Sequence, residues 1–124
     1  MEKKVEVVIA THKKYEMPTD DLYLPIHVGA ELNKDKDLGY QKDNVGDNIS
    51  DRNDRYSELT ALYWAWKHVD AEYIGLAHYR RHFGGKNYHH GKDRLKWVVT
   101  KAELGPMLDK YDVNTEFQYN IFSF

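Results

Sequence analysis

Short apolar runs alternate with polar stretches along the chain, and three of these runs have the length and composition of β-strands. Residues 4–10 form a β-branched run, which predicts a buried, central strand of a parallel sheet. Residues 22–28 predict a second strand, which Pro25 interrupts. Residues 73–77 predict a third strand, in which Gly75 indicates the close approach of another backbone.

An amphipathic pattern lies between the second and third runs. Large apolar residues at spacing i, i+3, i+4 and i+7 predict a helix whose stripe faces the core, and they are Leu59, Leu62, Tyr63 and Trp66. Asn53 or Asp54 is a candidate cap for its start. With Trp64 added, the helix is aromatic nearly all round, so one face is expected to meet the sheet and the other a second element or a ligand.

The last third of the chain carries weaker patterns. Residues 95–99 predict another short strand. Thr100 and Glu103 have capping-box spacing and predict a helix, in which Pro106 indicates either a kink or a later start. Residues 111–113 resemble the beginning of a further strand.

Residues 31–55 are rich in charged side chains and predict a long surface loop, a feature that tends to be functional or disordered in a compact domain. Four aspartates in it are a candidate cation site, namely Asp43, Asp47, Asp51 and Asp54. Their spacing does not match an EF-hand loop, and a solvated acidic loop is the favoured interpretation.

Composition narrows the class of protein. The chain has 124 residues, which is the length of one ordinary domain, and it has no cysteine, so disulfides and thiolate chemistry are excluded. A net charge of -2 argues against a dedicated nucleic-acid-binding protein. No apolar run approaches the roughly 20 residues needed to span a bilayer. These features predict a soluble cytoplasmic protein without a transmembrane segment.

The strongest candidate for chemistry follows the third predicted strand. Here the sequence changes to a cationic and aromatic cluster, which consists of His78, Tyr79, Arg80, Arg81 and His82. Arginine offers a rigid fork of donors that matches phosphate oxygens, so this cluster predicts an anion site. A salt-bridged surface turn is the alternative interpretation. The polar residues Thr11, His12 and Lys13 follow the first strand and are candidates for ligand binding, because ligands bind at the carboxyl ends of parallel strands, and a solvated loop is the alternative interpretation.

Other kinds of site have less basis in the sequence. His78 and His82 are spaced to share one face of a helix as zinc ligands, and His89 and His90 are further histidines, but the sequence has no accompanying HExxH motif. The dinucleotide fingerprint, the P-loop and the nucleophile elbow are all missing, and there is no clear D-x-D.

Three blocks of the sequence resemble one bacterial family closely. They are Asp-Asn-Ile-Ser at residues 47–50, Ser-Glu-Leu-Thr-Ala-Leu-Tyr-Trp-Ala-Trp-Lys at residues 57–67 and Tyr-Ile-Gly-Leu-Ala-His-Tyr-Arg-Arg at residues 73–81. The chain is identified on these blocks as similar to the DUF4422 family of capsular and exopolysaccharide biosynthesis proteins, which are regarded as glycosyltransferases. The resemblance covers residues 3 to about 113.

The resemblance implies an incomplete GT-A-like α/β fold, that is, an open sheet with flanking helices that binds a nucleotide-sugar donor and transfers the sugar to a glycan or lipid-linked glycan. Residues 78–80 occupy the place where GT-A enzymes commonly carry their metal-binding D-x-D. We expect arginine and histidine to neutralise the donor diphosphate there in place of a metal. The alternative is a divalent cofactor, Mn²⁺ or Mg²⁺. Asp47, Asn48 and Glu58 are candidates for donor or acceptor contacts, and no catalytic residue is assigned.

The end of the chain departs from the family pattern. Residues 114–124 do not resemble it, so we expect residues 1–113 to be the N-terminal part of such a domain and the remainder to be a truncation or frameshift product. A non-catalytic nucleotide- or carbohydrate-binding module and a degenerate fragment are the alternatives to an active enzyme. Lipid-linked acceptors would place the protein peripherally at the inner membrane face.

Overall fold

The computed structural model describes residues 5–79, 81–84, 94–110 and 121–123. Its strands are β1 (Val5–Thr11), β2 (Tyr23–His27), β3 (Gln41–Lys42), β4 (Tyr73–His78), β5 (Arg81–Phe83) and β6 (Ile121–Ser123). Its α-helices are α1 (Asn53–Tyr56), α2 (Leu59–His68) and α3 (Lys101–Lys110). Three 3₁₀ turns lie at Ala30–Leu32, Ser50–Arg52 and Arg94–Trp97.

The strands form one sheet in the order β3-β2-β1-β4-β5-β6. The first four strands in this order are parallel, whereas β5 and β6 are antiparallel additions beside β4. The three predicted strands are therefore confirmed, as is the central, parallel position of β1. The chain first adds strands on one side of β1 and then crosses to the other side. The topological switch point consequently lies between β1 and β4.

Both faces of β1 are covered, which explains why five of the seven residues in this strand are apolar. Val7 and Ile9 belong to one core cluster, which also includes Leu104 of α3. Val8 and Ala10 belong to a second core cluster, which is shared with α2 on the other face. The sheet with helices on both sides is an α/β architecture.

Helix α2 packs on the sheet through a different stripe from the predicted one. Its buried residues are Thr60, Ala61, Trp64 and Ala65. Leu59 and Trp66 are instead 49% and 66% exposed, so the prediction that their stripe faces the core is wrong. Three of the four buried residues are small and allow the helix to approach the sheet closely, and Trp64 is the one large side chain among them.

The start of α2 also differs from the prediction. The helix begins after Ser57, which has a φ of 49°, and Glu58 occupies the capping position without a side-chain hydrogen bond. Asn53 begins the preceding helix α1 instead. Its side-chain amide donates to the Ser57 carbonyl at 2.7 Å and to Thr60 Oγ1 at 3.0 Å. Asn53 therefore links the two helices rather than capping the second.

Residues 31–55 are largely irregular, as predicted, but they are not uniformly solvated. Asp43 is fully buried. Its carboxylate accepts hydrogen bonds from the backbone N–H groups of Gly29 and Ala30, at 3.0 and 3.1 Å, and from the Ser50 hydroxyl at 2.5 Å. The interpretation of this aspartate as part of a solvated acidic loop is wrong, because these three donors replace water around the charge.

The segment before α3 is not the predicted strand. Residues 94–97 form a 3₁₀ turn. Of residues 95–99, only Val98 pairs with another segment, through an isolated antiparallel β-bridge to Gly84. The predicted cap is confirmed, since the Glu103 N–H donates to Thr100 Oγ1 at 3.2 Å. Helix α3 begins at Lys101 and includes Pro106, so it does not start late. Residues 111–113 lie outside the described part of the chain. No helix within the described residues is long and apolar enough to span a membrane.

Candidate functional site

The carboxyl ends of β1 and β4 lie side by side at the switch point. Ala10 of β1 pairs with His78 of β4, and the Tyr79 N–H donates to the Ala10 carbonyl at 3.0 Å. The chain leaves β1 at His12 and β4 at Tyr79, and the centroids of these two rings are 5.1 Å apart in an edge-to-face arrangement. Two groups of residues that are more than sixty positions apart in sequence thus meet at one end of the sheet.

Tyr79 is the centre of an aromatic cluster at this end. Its ring stacks on Tyr15, with centroids 4.5 Å apart, and contacts the His78 ring at 4.1 Å. The Tyr40 hydroxyl donates to the Tyr15 carbonyl at 2.8 Å and ties the loop after β1 to the loop before β3. Tyr15 was not predicted from the sequence as a site residue. Its position, four residues after the polar end of the first strand, could have indicated that it lies at this end of the sheet.

Thr11 shapes the turn that follows β1. Its buried hydroxyl donates to the Lys13 carbonyl at 2.5 Å and accepts from the Lys13 N–H at 3.2 Å. This local pattern is a turn of the kind that threonine hydroxyls stabilise. The hydroxyl is thereby engaged within the protein, whereas the Lys13 side chain is exposed. Lys36, a residue that the sequence analysis missed, donates to the His12 carbonyl at 3.2 Å and adds positive charge to the same end.

His27 lies at the carboxyl end of β2, opposite Thr11 in the sheet. It is only 1% exposed, and its Nδ1 atom has no hydrogen-bond partner within the described part of the chain. Burial lowers the pKa of His27 below its usual value, while the charge of nearby Asp43 acts in the opposite direction. Burial therefore favours the neutral form of the His27 imidazole.

Seven residues were predicted to bind the donor, and the backbone positions of five of them meet at the ends of β1 and β4. These are Thr11, His12, Lys13, His78 and Tyr79. Arg81 begins β5 and pairs with His78 through its backbone, but its side chain lies outside the described part of the structure. Arg80 also lies outside the described residues. The anion-binding role of the two arginines therefore stays a prediction.

The three candidates for donor or acceptor contacts occupy a different region, with Asp47 and Asn48 in the loop before α1 and Glu58 in the capping position of α2. The Asp47 carboxylate accepts from the Tyr63 hydroxyl at 3.0 Å and lies 3.7 Å from Lys67 Nζ, so its contacts are with α2. The Asn48 side chain donates to the Gly46 carbonyl at 2.6 Å and accepts from the Ser50 N–H at 3.0 Å, within its own loop. None of these contacts involves a residue that follows β1 or β4.

The prediction that His78 and His82 share one face of a helix as zinc ligands is wrong. His78 ends β4 and His82 lies in β5, so each histidine lies in a strand and the two do not share one face of a helix. His89 and His90 lie outside the described residues. Across residues 5–79, 81–84, 94–110 and 121–123, no three histidine, aspartate or glutamate side chains are grouped as ligands of a metal ion.

The open sheet, with helices on both sides and a polar cluster at its switch point, is an α/β fold of the kind that binds ligands at its strand ends. The chain belongs to the DUF4422 family, whose model, described as a domain of unknown function, matches residues 6–123. The match extends past residue 113, where the resemblance noted in the sequence ends. The division of the chain at that residue stays a prediction.

One solved structure links this fold to glycosyl transfer. The chain is similar to the WbbM bifunctional glycosyltransferase in its apo form, with 35% sequence identity and a TM-score of 0.63. The similarity covers 72% of this chain and 16% of WbbM, so the present chain corresponds to a small part of that protein. No curated protein matches the chain significantly. The fold is therefore glycosyltransferase-like.

Proposed function

We propose that this chain forms the donor-binding part of a glycosyltransferase that moves a sugar from a nucleotide-sugar to a glycan or lipid-linked glycan during capsular or exopolysaccharide biosynthesis. The observation that carries the proposal is the meeting of His12, His78 and Tyr79 at the switch point between β1 and β4. Ligands of open α/β sheets bind in the crevice at such a point. The similarity to WbbM supports the same class of activity.

The proposed role of this end of the sheet is to bind the donor and stabilise its diphosphate. Transfer breaks the bond between the anomeric carbon and the diphosphate oxygen, so negative charge develops on the departing nucleoside diphosphate. Lys13 is exposed beside the site, and Arg80 and Arg81 follow β4 in the sequence. These cations lower the energy of the developing charge. The exposed ring of Tyr15, stacked on Tyr79, offers a flat surface for the base or the sugar.

The residues at the end of β4 do not fit the metal that GT-A enzymes commonly use. Mg²⁺ and Mn²⁺ prefer carboxylate and other oxygen ligands. The corresponding positions here are an imidazole, a phenol and a guanidinium, from His78, Tyr79 and Arg80. A guanidinium has only donors and cannot coordinate a cation. We therefore assign charge neutralisation to the protein's own cations, and no step of the proposed reaction passes through a metal.

Arg80→Ala tests this assignment directly. A panel of UDP- and GDP-sugars is first screened against the full chain by thermal shift, and the affinity of the best donor is then measured by calorimetry. We expect Arg80→Ala to weaken donor binding by at least about tenfold, since a hydrogen bond to a charged group contributes about 1.5–3 kcal/mol. Arg55→Ala, which removes an exposed arginine from α1, is the matched control and should leave the affinity unchanged.

Two results would contradict the assignment. The first is unchanged donor affinity in the Arg80→Ala variant. The second is a loss of binding or turnover on addition of EDTA that manganese restores. A nucleotide-release assay with glycan acceptors then separates an active transferase from a binding module, because only the former releases nucleoside diphosphate continuously.

A further inference from the structure

The loop after β1 reaches the candidate site without regular secondary structure. Residues 12–16 are exposed, and residues 14–16 form no backbone–backbone hydrogen bond within the described part of the chain. An exposed, irregular segment of this kind samples many conformations unless side chains from elsewhere hold it. The Thr11 hydroxyl fixes the turn only as far as Lys13. The position of Tyr15 therefore depends on contacts from outside the loop.

Two side chains from the segment before β3 hold this loop by its backbone. The Lys36 ammonium group donates to the His12 carbonyl at 3.2 Å, and the Tyr40 hydroxyl donates to the Tyr15 carbonyl at 2.8 Å. The second distance is usual for a well-formed O–H···O hydrogen bond. Both acceptors are main-chain oxygens, so these contacts fix the path of the loop whatever its side chains are.

Tyr40 is itself anchored to the sheet. It directly precedes β3, which pairs in parallel with the end of β2. Two residues before it, Leu38 is only 7% exposed, so the segment is held on both sides of Tyr40. The Tyr40 hydroxyl is therefore presented from a fixed backbone. A tyrosine side chain has only two χ angles, so it loses little conformational entropy in making this contact.

The aromatic stack at the strand ends depends on this support. The Tyr15 and Tyr79 ring centroids are 4.5 Å apart with the planes 23° from parallel, so a small displacement of the loop separates the rings. Tyr15 is 38% exposed, and burial alone does not keep its ring in place. A loop that is ordered before a ligand arrives lowers the entropy that binding costs.

We propose that Tyr40 is a positioning residue of the donor site, which acts through the Tyr15 carbonyl and does not touch the donor. This inference rests on the proposed function, because it assigns Tyr40 a part in donor binding. The Tyr40 hydroxyl holds the loop after β1 against the end of β4, so the donor meets an aromatic surface that is already assembled. Lys36 holds the same loop but also adds positive charge, so its substitution does not separate positioning from electrostatics.

Tyr40→Phe tests the role, because it removes the hydroxyl and keeps the ring. The affinity of the full chain for the donor selected from the UDP- and GDP-sugar panel is measured by calorimetry. We expect binding to weaken by about three- to tenfold, which corresponds to the loss of one neutral hydrogen bond. Tyr56→Phe removes the hydroxyl of an exposed tyrosine in α1 and is the matched control, which should leave the affinity unchanged.

NMR spectroscopy of the chain without donor provides a second readout. Stacked rings shift each other's protons upfield through their ring currents, so the Tyr15 ring protons report on the stack with Tyr79 directly. We expect Tyr40→Phe to move these signals towards the values of an unstacked tyrosine, and Tyr56→Phe to leave them in place. A general loss of stability does not move them while the chain is folded, so this readout is specific to positioning.

The inference is overturned if Tyr40→Phe binds the donor no more weakly than Tyr56→Phe, or if the Tyr15 signals stay in place in the Tyr40→Phe chain. Failure of the unmodified chain to bind any nucleotide-sugar overturns the proposed function, and this inference with it. That failure is seen in the unmodified chain alone, so it is distinguishable from a failure of the positioning role.

Discussion

Asp43→Asn is expected to reduce the free energy of unfolding by about 2–4 kcal/mol. The buried carboxylate accepts three hydrogen bonds, from Gly29, Ala30 and Ser50. Hydrogen bonds to charged groups contribute about 1.5–3 kcal/mol each, and their effects are not additive. An amide of the same shape keeps one oxygen but directs an NH₂ group towards a donor. At least one of the three donors is then left buried without an acceptor, which is the main source of the loss.

Urea denaturation followed by tryptophan fluorescence measures this effect, because Trp64 is buried on the sheet. Asp47→Asn is the matched control, since it changes an exposed aspartate in the same loop. We expect it to shift the free energy of unfolding by less than about 0.5 kcal/mol, as is usual for exposed ion pairs. If Asp43→Asn lies within about 0.5 kcal/mol of the unmodified chain, or matches Asp47→Asn, the buried carboxylate does not stabilise this loop.

Three further substitutions test other parts of the fold by chemical denaturation. The pKa of His27 is lowered in the folded chain, so the unfolded chain takes up a proton first and the free energy of unfolding falls below about pH 6.5. His27→Leu removes this group and should make that fall smaller. An unchanged pH profile would contradict this. Tyr23→Phe should cost about 1–2 kcal/mol, because its buried hydroxyl donates to the Val99 carbonyl at 2.5 Å; a neutral effect would show that this hydrogen bond is dispensable. Gly29→Ala should destabilise the fold more than Gly39→Ala. Both glycines have a positive φ, at 67° and 79°, but only at Gly29 would a Cβ lie 2.7 Å from a side-chain oxygen, that of Asn53. Equal losses would show that the contact is relieved by local movement.

The central strands were predictable because their apolar runs are local and continuous. Val7, Val8 and Ile9 are all buried, on alternating faces, and a strand that is covered on both sides has this uninterrupted pattern. The parallel position of β1 followed from the same signal. The prediction of a strand at residues 95–99 was wrong, because a short apolar run does not specify whether it pairs with another strand. Of these residues, only Val98 forms a β-bridge, to Gly84.

The orientation of α2 was not predictable from its largest side chains. Ala61 and Ala65 contribute little to a hydrophobic pattern, yet they occupy the buried face. The outer stripe is more apolar and lines a groove. Periodicity identifies a helix but cannot tell which of two apolar stripes meets the sheet when both contain a tryptophan and one of them is otherwise made of small residues.

The candidate site was predicted in part, because strand ends can be located in the sequence while long-range contacts cannot. His12 and Tyr79 were both assigned to the donor site because each follows a predicted strand, and they do lie together because β1 and β4 pair in parallel. Tyr15 and Lys36 reach the site through irregular loops, whose paths depend on contacts such as the one between Tyr40 and the Tyr15 carbonyl. The buried state of Asp43 likewise depends on donors from two separate segments.

The central position of β1 has a consequence for synthesis of the chain on the ribosome. One of its two partners, β4, follows it by about 60 residues, which take roughly 3–12 seconds to translate at ordinary rates. During this interval one edge of an almost wholly apolar strand has no partner, and such an edge is prone to aggregation. The crevice between β1 and β4 is therefore the last junction of the parallel sheet to close, and faster translation of residues 12–72 shortens the time for which the edge of β1 is exposed.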